Sequence, residues 1–201
     1  MVQKLDYLKE SASQTAGPYV HIGLAPGDAG FDIYRAELGR DITGPNAKGT
    51  RITVTGMVTD GTGAPVKDVL IEIWQANSEG IYPGKGEVED GFRGWGRVIP
   101  DFETGVFTFE TVKPGPVAAH SGAMAAPHLN LWLVSRGINV GLNTRMYFGD
   151  EDNANANAAD PVLNMVEQAH RRATLIASAD ATIYRFDIRL QGDGETVFFD
   201  V

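Results

Sequence analysis

The chain has 201 residues, 43% hydrophobic and 21% charged, enough apolar content to bury a core in one or two domains and too little charge for wholesale disorder. Its formal net charge of −9 argues against nucleic acid and anionic membranes as partners, because phosphates need a basic surface. Cysteine is absent, which removes disulfides and thiolate metal sites. No apolar run approaches the ~18 residues of a membrane span. The charged start Met1-Val2-Gln3-Lys4-Leu5-Asp6-Tyr7 does not read as a secretory leader, so a cytoplasmic location is expected.

Residues 1–48 carry little regular pattern and are broken by Gly17-Pro18, Ala25-Pro26-Gly27-Asp28 and Gly44-Pro45-Asn46. Tyr19, Val20, Ile22, Leu24, Phe31, Ile33 and Tyr34 make the segment too apolar for a solvated linker. The expectation is an extended arm over 1–48 that docks on another chain; the plainer alternative is a loose leader. A β-domain is expected over 49–201.

From residue 51 the pattern shifts to short runs of period two. Arg51 to Val58 is β-branched and ends at the turn Asp60-Gly61-Thr62-Gly63. Val69 to Trp74 is nearly continuous in apolar residues, the mark of a strand buried on both faces. Val106 to Phe109 is another strand. In His128 to Val134, Leu129, Leu131 and Leu133 share a face. From Tyr184 to Leu190, Tyr184, Phe186, Ile188 and Leu190 oppose Arg185, Asp187 and Arg189. Thr196 to Phe199 follows the turn Gly192-Asp193-Gly194. Short strands divided by Gly/Pro turns predict an all-β fold, a sandwich or barrel. One or two short helices are added. Asp160 as cap, Pro161 at the first position and Val162, Met165, Val166 and Ala169 on one face predict a helix. The patch Asn153-Ala154-Asn155-Ala156-Asn157 reads as a surface loop before it.

The four histidines, His21, His120, His128 and His170, form no His-x-His or His-Glu-x-x-His pair. A His-x-His on a strand would place two imidazoles on one face, ready to share a metal. Here the strand reads His128-Leu129-Asn130, and an amide is a poor transition-metal ligand. Taken alone, His128 is read as a packed or hydrogen-bonded residue. His170, beside Arg171 and Arg172 near a helix end, suits the helix dipole. Phosphate-binding glycine loops and a Gly-x-Ser-x-Gly elbow are missing.

Several stretches met in order nevertheless carry a likeness: Val69 to Asn77, Phe92-Arg93-Gly94-Trp95-Gly96-Arg97, Thr111-Val112-Lys113-Pro114-Gly115-Pro116, Thr144 to Asp150, and Tyr184 to Ile188. Across nearly its whole length the chain resembles the intradiol ring-cleavage dioxygenases. Ser13 to Gly23, Arg136-Gly137-Ile138-Asn139 and Gly194 to Asp200 are similar to the iron-free α-type chains of that family. The resemblance implies a β-sandwich and a complex that cleaves 3,4-dihydroxybenzoate with O2 to 3-carboxy-cis,cis-muconate.

Catalytic chains of the family hold Fe(III) with two tyrosinates and two histidines. One tyrosine follows the Lys-Pro-Gly-Pro stretch, and the histidines form a His-x-His pair. Here Val117 follows Pro116, and Asn130 stands at the second histidine position. The segment from Tyr82 to Phe92 is too short to supply the other tyrosine, and Tyr82 itself matches a neighbouring, non-ligand position. His128 alone survives. The resemblance therefore implies no catalytic residue and no metal in this chain. Fe(III) would be bound by a partner β chain, with αβ pairs assembled into a higher oligomer. It also implies that Thr15, Gly17, Pro18 and Tyr19 line the cavity above the partner's iron and that Arg136 reaches the same place. Gly17-Pro18 is a stiff turn of little bulk, and a guanidinium suits the substrate carboxylate. The alternatives stay open: a surface or interface salt bridge for Arg136, aromatic packing for Tyr19. For the whole chain they are an intradiol chain for another anionic catechol such as 4-sulfocatechol, or a non-catalytic scaffold module.

Overall fold

The computed structural model describes residues 15–119 and 122–200. Residues 1–14, with Ser13 and Gln14, lie outside that range, as do His120, Ser121 and Val201. The strands are β1 (Arg51–Thr59), β2 (Leu70–Trp74), β3 (Trp95–Val98), β4 (Val106–Val112), β5 (Val117–Ala118), β6 (Met124–Ala125), β7 (His128–Val134), β8 (Leu142–Phe148), β9 (Ile176–Asp180), β10 (Ile183–Arg185) and β11 (Ile188–Arg189). The helices are short: α1 (Val20–Leu24), α2 (Ala154–Ala159) and α3 (Ala169–Ala173).

β1 pairs antiparallel with β4 and parallel with β10 and β11. β9 then joins this half to a second half in the order β8-β7-β2-β3. The halves face each other as a β-sandwich. Val54, Phe107, Phe109, Tyr184 and Phe186 from the first meet Ile71, Ile73, Leu129, Leu131, Leu133, Met146 and Phe148 from the second. Each such side chain, fully buried, contributes about 1.5–3 kcal/mol relative to exposure. The alternation read in β7 is present, with its three leucines in the core.

Other elements depart from the sequence pattern for local reasons. β2 is buried on both faces only at its start. Further on, Glu72 is half-buried and Trp74 exposed, because Glu72 is held at that face by Arg97 of β3, with Nε at 3.0 Å and Nη2 at 2.6 Å. The run Tyr184–Leu190 is not one strand but two. Gly56 of β1 approaches so closely that a Cβ there would stand 1.9 Å from the Phe186 carbonyl oxygen. Asp187 then accepts the Met57 N–H on its side chain, at 3.0 Å, where a regular ladder would use a backbone carbonyl.

The helix predicted from Asp160 onward forms elsewhere. The Asn/Ala patch is itself α2, anchored by the Asn157 amide donating to the Phe148 carbonyl at 2.8 Å. Asp160 does cap, accepting from the N–H groups of Val162 and Leu163, but only a 3-10 turn, Leu163–Met165, follows. The same carboxylate is drawn into the body, so the chain cannot continue as a regular helix, and Met165 is exposed rather than packed. α3 ends in His170, Arg171 and Arg172, and the two arginines place their charge at the end of the helix where the dipole favours it.

Within the arm, Ile42 enters the main core and Gly39 and Ile42 give their carbonyls to Arg97 and Gly94. Upstream, Tyr19, Phe31, Ile33, Tyr34 and Leu38 stay exposed.

Candidate functional site

β7 lies between β2 and β8, in a register that sets Asn130 beside Trp74 on one side and Arg145 on the other, and His128 beside Tyr147. Because strand residues alternate, the leucines that fill the core leave His128, Asn130 and Trp132 on the opposite face. Tyr82, in the loop after β2, stacks on Trp74 with ring centroids 5.7 Å apart and reaches this face.

There the polar atoms close on one another. His128 is 2% exposed. Its Nδ1 is 2.7 Å from the Ala126 carbonyl, which can only accept, so Nδ1 carries the proton and Nε2 is the acceptor. The Tyr82 hydroxyl donates to Nε2 at 3.2 Å, and the Asn130 amide donates in turn to the Tyr82 oxygen at 2.8 Å and to the Trp74 carbonyl at 3.2 Å. Burial holds the imidazole pKa down at about 4, with the Arg145 charge adding to the shift. Burial raises the Tyr82 pKa as well. The histidine is neutral and the tyrosine a phenol.

This cluster does not fit Fe(III). The imidazole lone pair that would meet a metal is taken by a hydroxyl, Asn130 directs its NH2 into the cluster as a donor, and Val117 is aliphatic. Val117 pairs with Ala125 in the β5–β6 hairpin that leads into β7. Among the described residues, no group of three or more His, Cys, Asp or Glu is arranged to hold a metal ion. The sequence set Tyr82 beside a ligand position but did not show it as the hydrogen-bond partner of His128. Only its position across the sheet, 46 residues from His128, reveals it as the partner.

The other sequence-predicted residues gather at the far end of β7. Thr15 donates through Oγ1 to the Ser135 carbonyl at 3.0 Å, across 120 residues of chain. The arm is thus tied to the turn that carries Arg136. His21 of α1 packs on Phe102 with ring centroids 5.1 Å apart. Phe102, Ser135 and Arg136 all line one hollow of about 830 Å³. Arg136 forms an ion pair with Asp68, Nε to Oδ2 2.8 Å, while remaining 64% exposed. Gly17 has open space around it. Tyr19 is 74% exposed at the start of α1, and no described contact links it to Arg136. Asp68 and Phe102 were not legible as members of this region.

Residues 34–192 match the Dioxygenase family. The chain is similar to the protocatechuate 3,4-dioxygenase alpha chain of Pseudomonas putida, with 48% identity covering 98% of each chain. It is also similar to the protocatechuate 3,4-dioxygenase beta chain of Burkholderia cepacia, at 35% identity over 82% of this chain and 78% of that one. Among solved structures, 3-chlorocatechol 1,2-dioxygenase from Rhodococcus opacus 1CP superposes with a TM-score of 0.58 at 22% identity, covering 78% of this chain and 68% of that one. That likeness is one of fold.

Proposed function

This chain belongs to the intradiol dioxygenase family, and on that premise we propose that it is the α subunit of a protocatechuate 3,4-dioxygenase whose Fe(III) is held by a β subunit. The observation that carries the reading is the near-full-length identity to an α chain of that name. The closed Tyr82–His128–Asn130 cluster supports it, since two of the chain's own ligand positions, His128 and Asn130, are engaged in internal hydrogen bonds. The complex works in the cytoplasm and cleaves 3,4-dihydroxybenzoate with O2 to 3-carboxy-cis,cis-muconate. The β chain supplies the iron chemistry; this chain supplies a wall.

In that wall the arm, residues 1–48, docks on the partner, and Thr15, Gly17, Pro18 and Tyr19 border the substrate. The exposed Tyr19, Phe31, Ile33, Tyr34 and Leu38 support docking, because an apolar row of this kind is stable only when covered. Arg136 meets the carboxylate of the substrate, which loses hydration on entering a site closed to water and needs a charged donor in return.

Expressed alone, the chain will contain no stoichiometric iron and show no tyrosinate-to-iron absorption. Metal analysis and a visible spectrum check this, and a coloured protein with one iron per chain would overturn it. Expressed with its β partner, it will form an iron-containing complex active on protocatechuate. In that complex Arg136→Ala is expected to cost roughly 1.5–3 kcal/mol in kcat/KM for protocatechuate, or about 10–150-fold. Catechol, which lacks the carboxylate, will change much less. Equal losses on both substrates would place Arg136 in the assembly rather than at the substrate.

A further inference from the structure

Asp68 is the group on which Arg136 rests. It stands just before β2, its side chain only 12% exposed, followed by Val69 and Leu70, both fully buried. Enclosed carboxylates are uncommon unless paired, and the cation paired with this one is Arg136. The other cation lining the same hollow, Lys67, gives its ammonium to the Glu103 carbonyl at 2.8 Å.

The backbone beneath Arg136 is fixed as well. Ile138 N–H donates to the Ser135 carbonyl at 3.2 Å, closing a turn over Arg136 and Gly137. Gly137 adopts φ +84°, a conformation that glycine enters without steric cost. The carbonyl that closes this turn is also the acceptor for Thr15. Beyond this backbone the arginine side chain has several rotatable bonds and a charge at its tip, paired with Asp68. An unrestrained guanidinium must surrender that freedom when it binds an anion.

We infer that Asp68 is a positioning residue. As the ion-pair partner of Arg136, with Oδ2 2.8 Å from Nε, it draws the guanidinium to one side of the hollow and so sets where the terminal nitrogens stand for the carboxylate of the aromatic substrate. The inference rests on the assignment of Arg136 to that carboxylate made above. Asp68 has two opposing effects on an incoming anion. Its negative charge offsets that of Arg136 and weakens attraction, whereas its hold on Nε reduces the ordering cost and fixes the direction of the fork. Asp68 meets the guanidinium at Nε, its inner end, so the negative charge lies farther from an anion at the terminal nitrogens than the positive charge does, and orientation prevails. Removing Asp68 will therefore loosen protocatechuate, not tighten it.

The test uses the assembled αβ complex with its iron, and compares protocatechuate with catechol in Asp68→Ala, Asp68→Asn and Arg136→Ala. Asp68→Ala is expected to raise KM for protocatechuate about five- to tenfold with a smaller change in kcat, and to leave catechol within about twofold. Asp68→Asn, which keeps the shape of the side chain but removes the charge of the ion pair, will lose nearly as much as Asp68→Ala. If Asp68→Ala fails to assemble, Asp68→Ser reads the same contrast with a hydroxyl too short to reach Nε. A lowered or unchanged KM in Asp68→Ala would overturn the inference, as would equal losses on both substrates. Selective loss in Arg136→Ala beside a silent Asp68→Ala would overturn the role of Asp68 alone. Equal losses in Arg136→Ala would overturn the assignment of Arg136 on which it rests.

Discussion

Asp160→Ala is expected to lower the unfolding free energy by about 4 kcal/mol, the upper range for a single substitution. Asp160 is fully buried, and its carboxylate is the acceptor for four donors. Oδ2 receives the Ala126 N–H at 2.8 Å. Oδ1 receives the Tyr147 hydroxyl at 3.0 Å and the N–H groups of Val162 and Leu163 at 2.9 and 2.7 Å. Truncation leaves these donors without a partner, and a buried unsatisfied donor costs about 1–3 kcal/mol. Relaxation and entry of water recover part of that sum. Asp160→Asn will cost about half as much, because its oxygen can still serve Oδ1's donors while its NH2 confronts the Ala126 N–H. Denaturant unfolding followed by tryptophan fluorescence measures both. A loss below about 1 kcal/mol in Asp160→Ala would show that water replaces the carboxylate without strain. The substitution also bears on the cluster around His128, since Ala126 binds Asp160 through its N–H and the imidazole through its carbonyl.

Residues that obey one periodicity were legible, and residues serving two layers were not. β7 announced itself because Leu129, Leu131 and Leu133 enter the core while their neighbours do not. β8 did not, although it pairs with β7 from Leu142 to Tyr147. Its consecutive Met146, Tyr147 and Phe148 are all buried, since Met146 and Phe148 face the sandwich core and Tyr147 faces a second cluster with Leu163 and Leu175. Burial on both faces erases the period-two signal. In the same way Asp160 read correctly as a cap, but nothing local revealed that Tyr147 and Ala126 would claim it too. At the site, Asn130 beside His128 was enough to show a broken ligand pair. Tyr82 and Asp68 were silent because their roles come from residues 46 and 68 positions away, His128 and Arg136. An aspartate before a strand reads as turn chemistry until the sheet brings the end of β7 to it.

The protein will lose stability as the pH falls from 6.5 toward 4, and above pH 5, before the carboxylates of the unfolded chain take up protons, His128 is the cause. Free imidazole titrates near 6.5, but burial and the Arg145 charge hold His128 down at about 4 in the fold. Tyr82, Tyr147, Arg145 and Asp160 are the titratable groups around it. Asp160 opposes the shift through its charge but is outweighed. The folded-state pKa lies below the unfolded one, so the unfolded chain binds the extra proton. Stability is complete above pH 6.5, declines as the pH falls, and levels off near pH 4 when the folded imidazole also protonates. The full loss is about 3 kcal/mol, with a slope of about 1.2 kcal/mol per pH unit around pH 5.5. Asp60, Asp101, Asp150 and Glu89 have carboxyls held below their ordinary values. Their contributions are therefore lost at lower pH; Asp28, raised by burial, acts with the opposite sign, so among the described residues His128 carries the destabilising slope above pH 5. The measurement is unfolding free energy against pH from 7 to 4, for the wild type and for His128→Gln. The variant will be less stable at pH 7, because it loses the fitted imidazole, but its profile will be flat to about pH 5, where the wild type slopes. Parallel profiles would mean that His128 is already protonated in the fold at pH 6, with Nε2 donating to the Tyr82 oxygen and the hydroxyl turned away. Nε2 would then have no lone pair to receive the Tyr82 hydroxyl, and the arrangement derived for the Tyr82–His128–Asn130 cluster would be wrong.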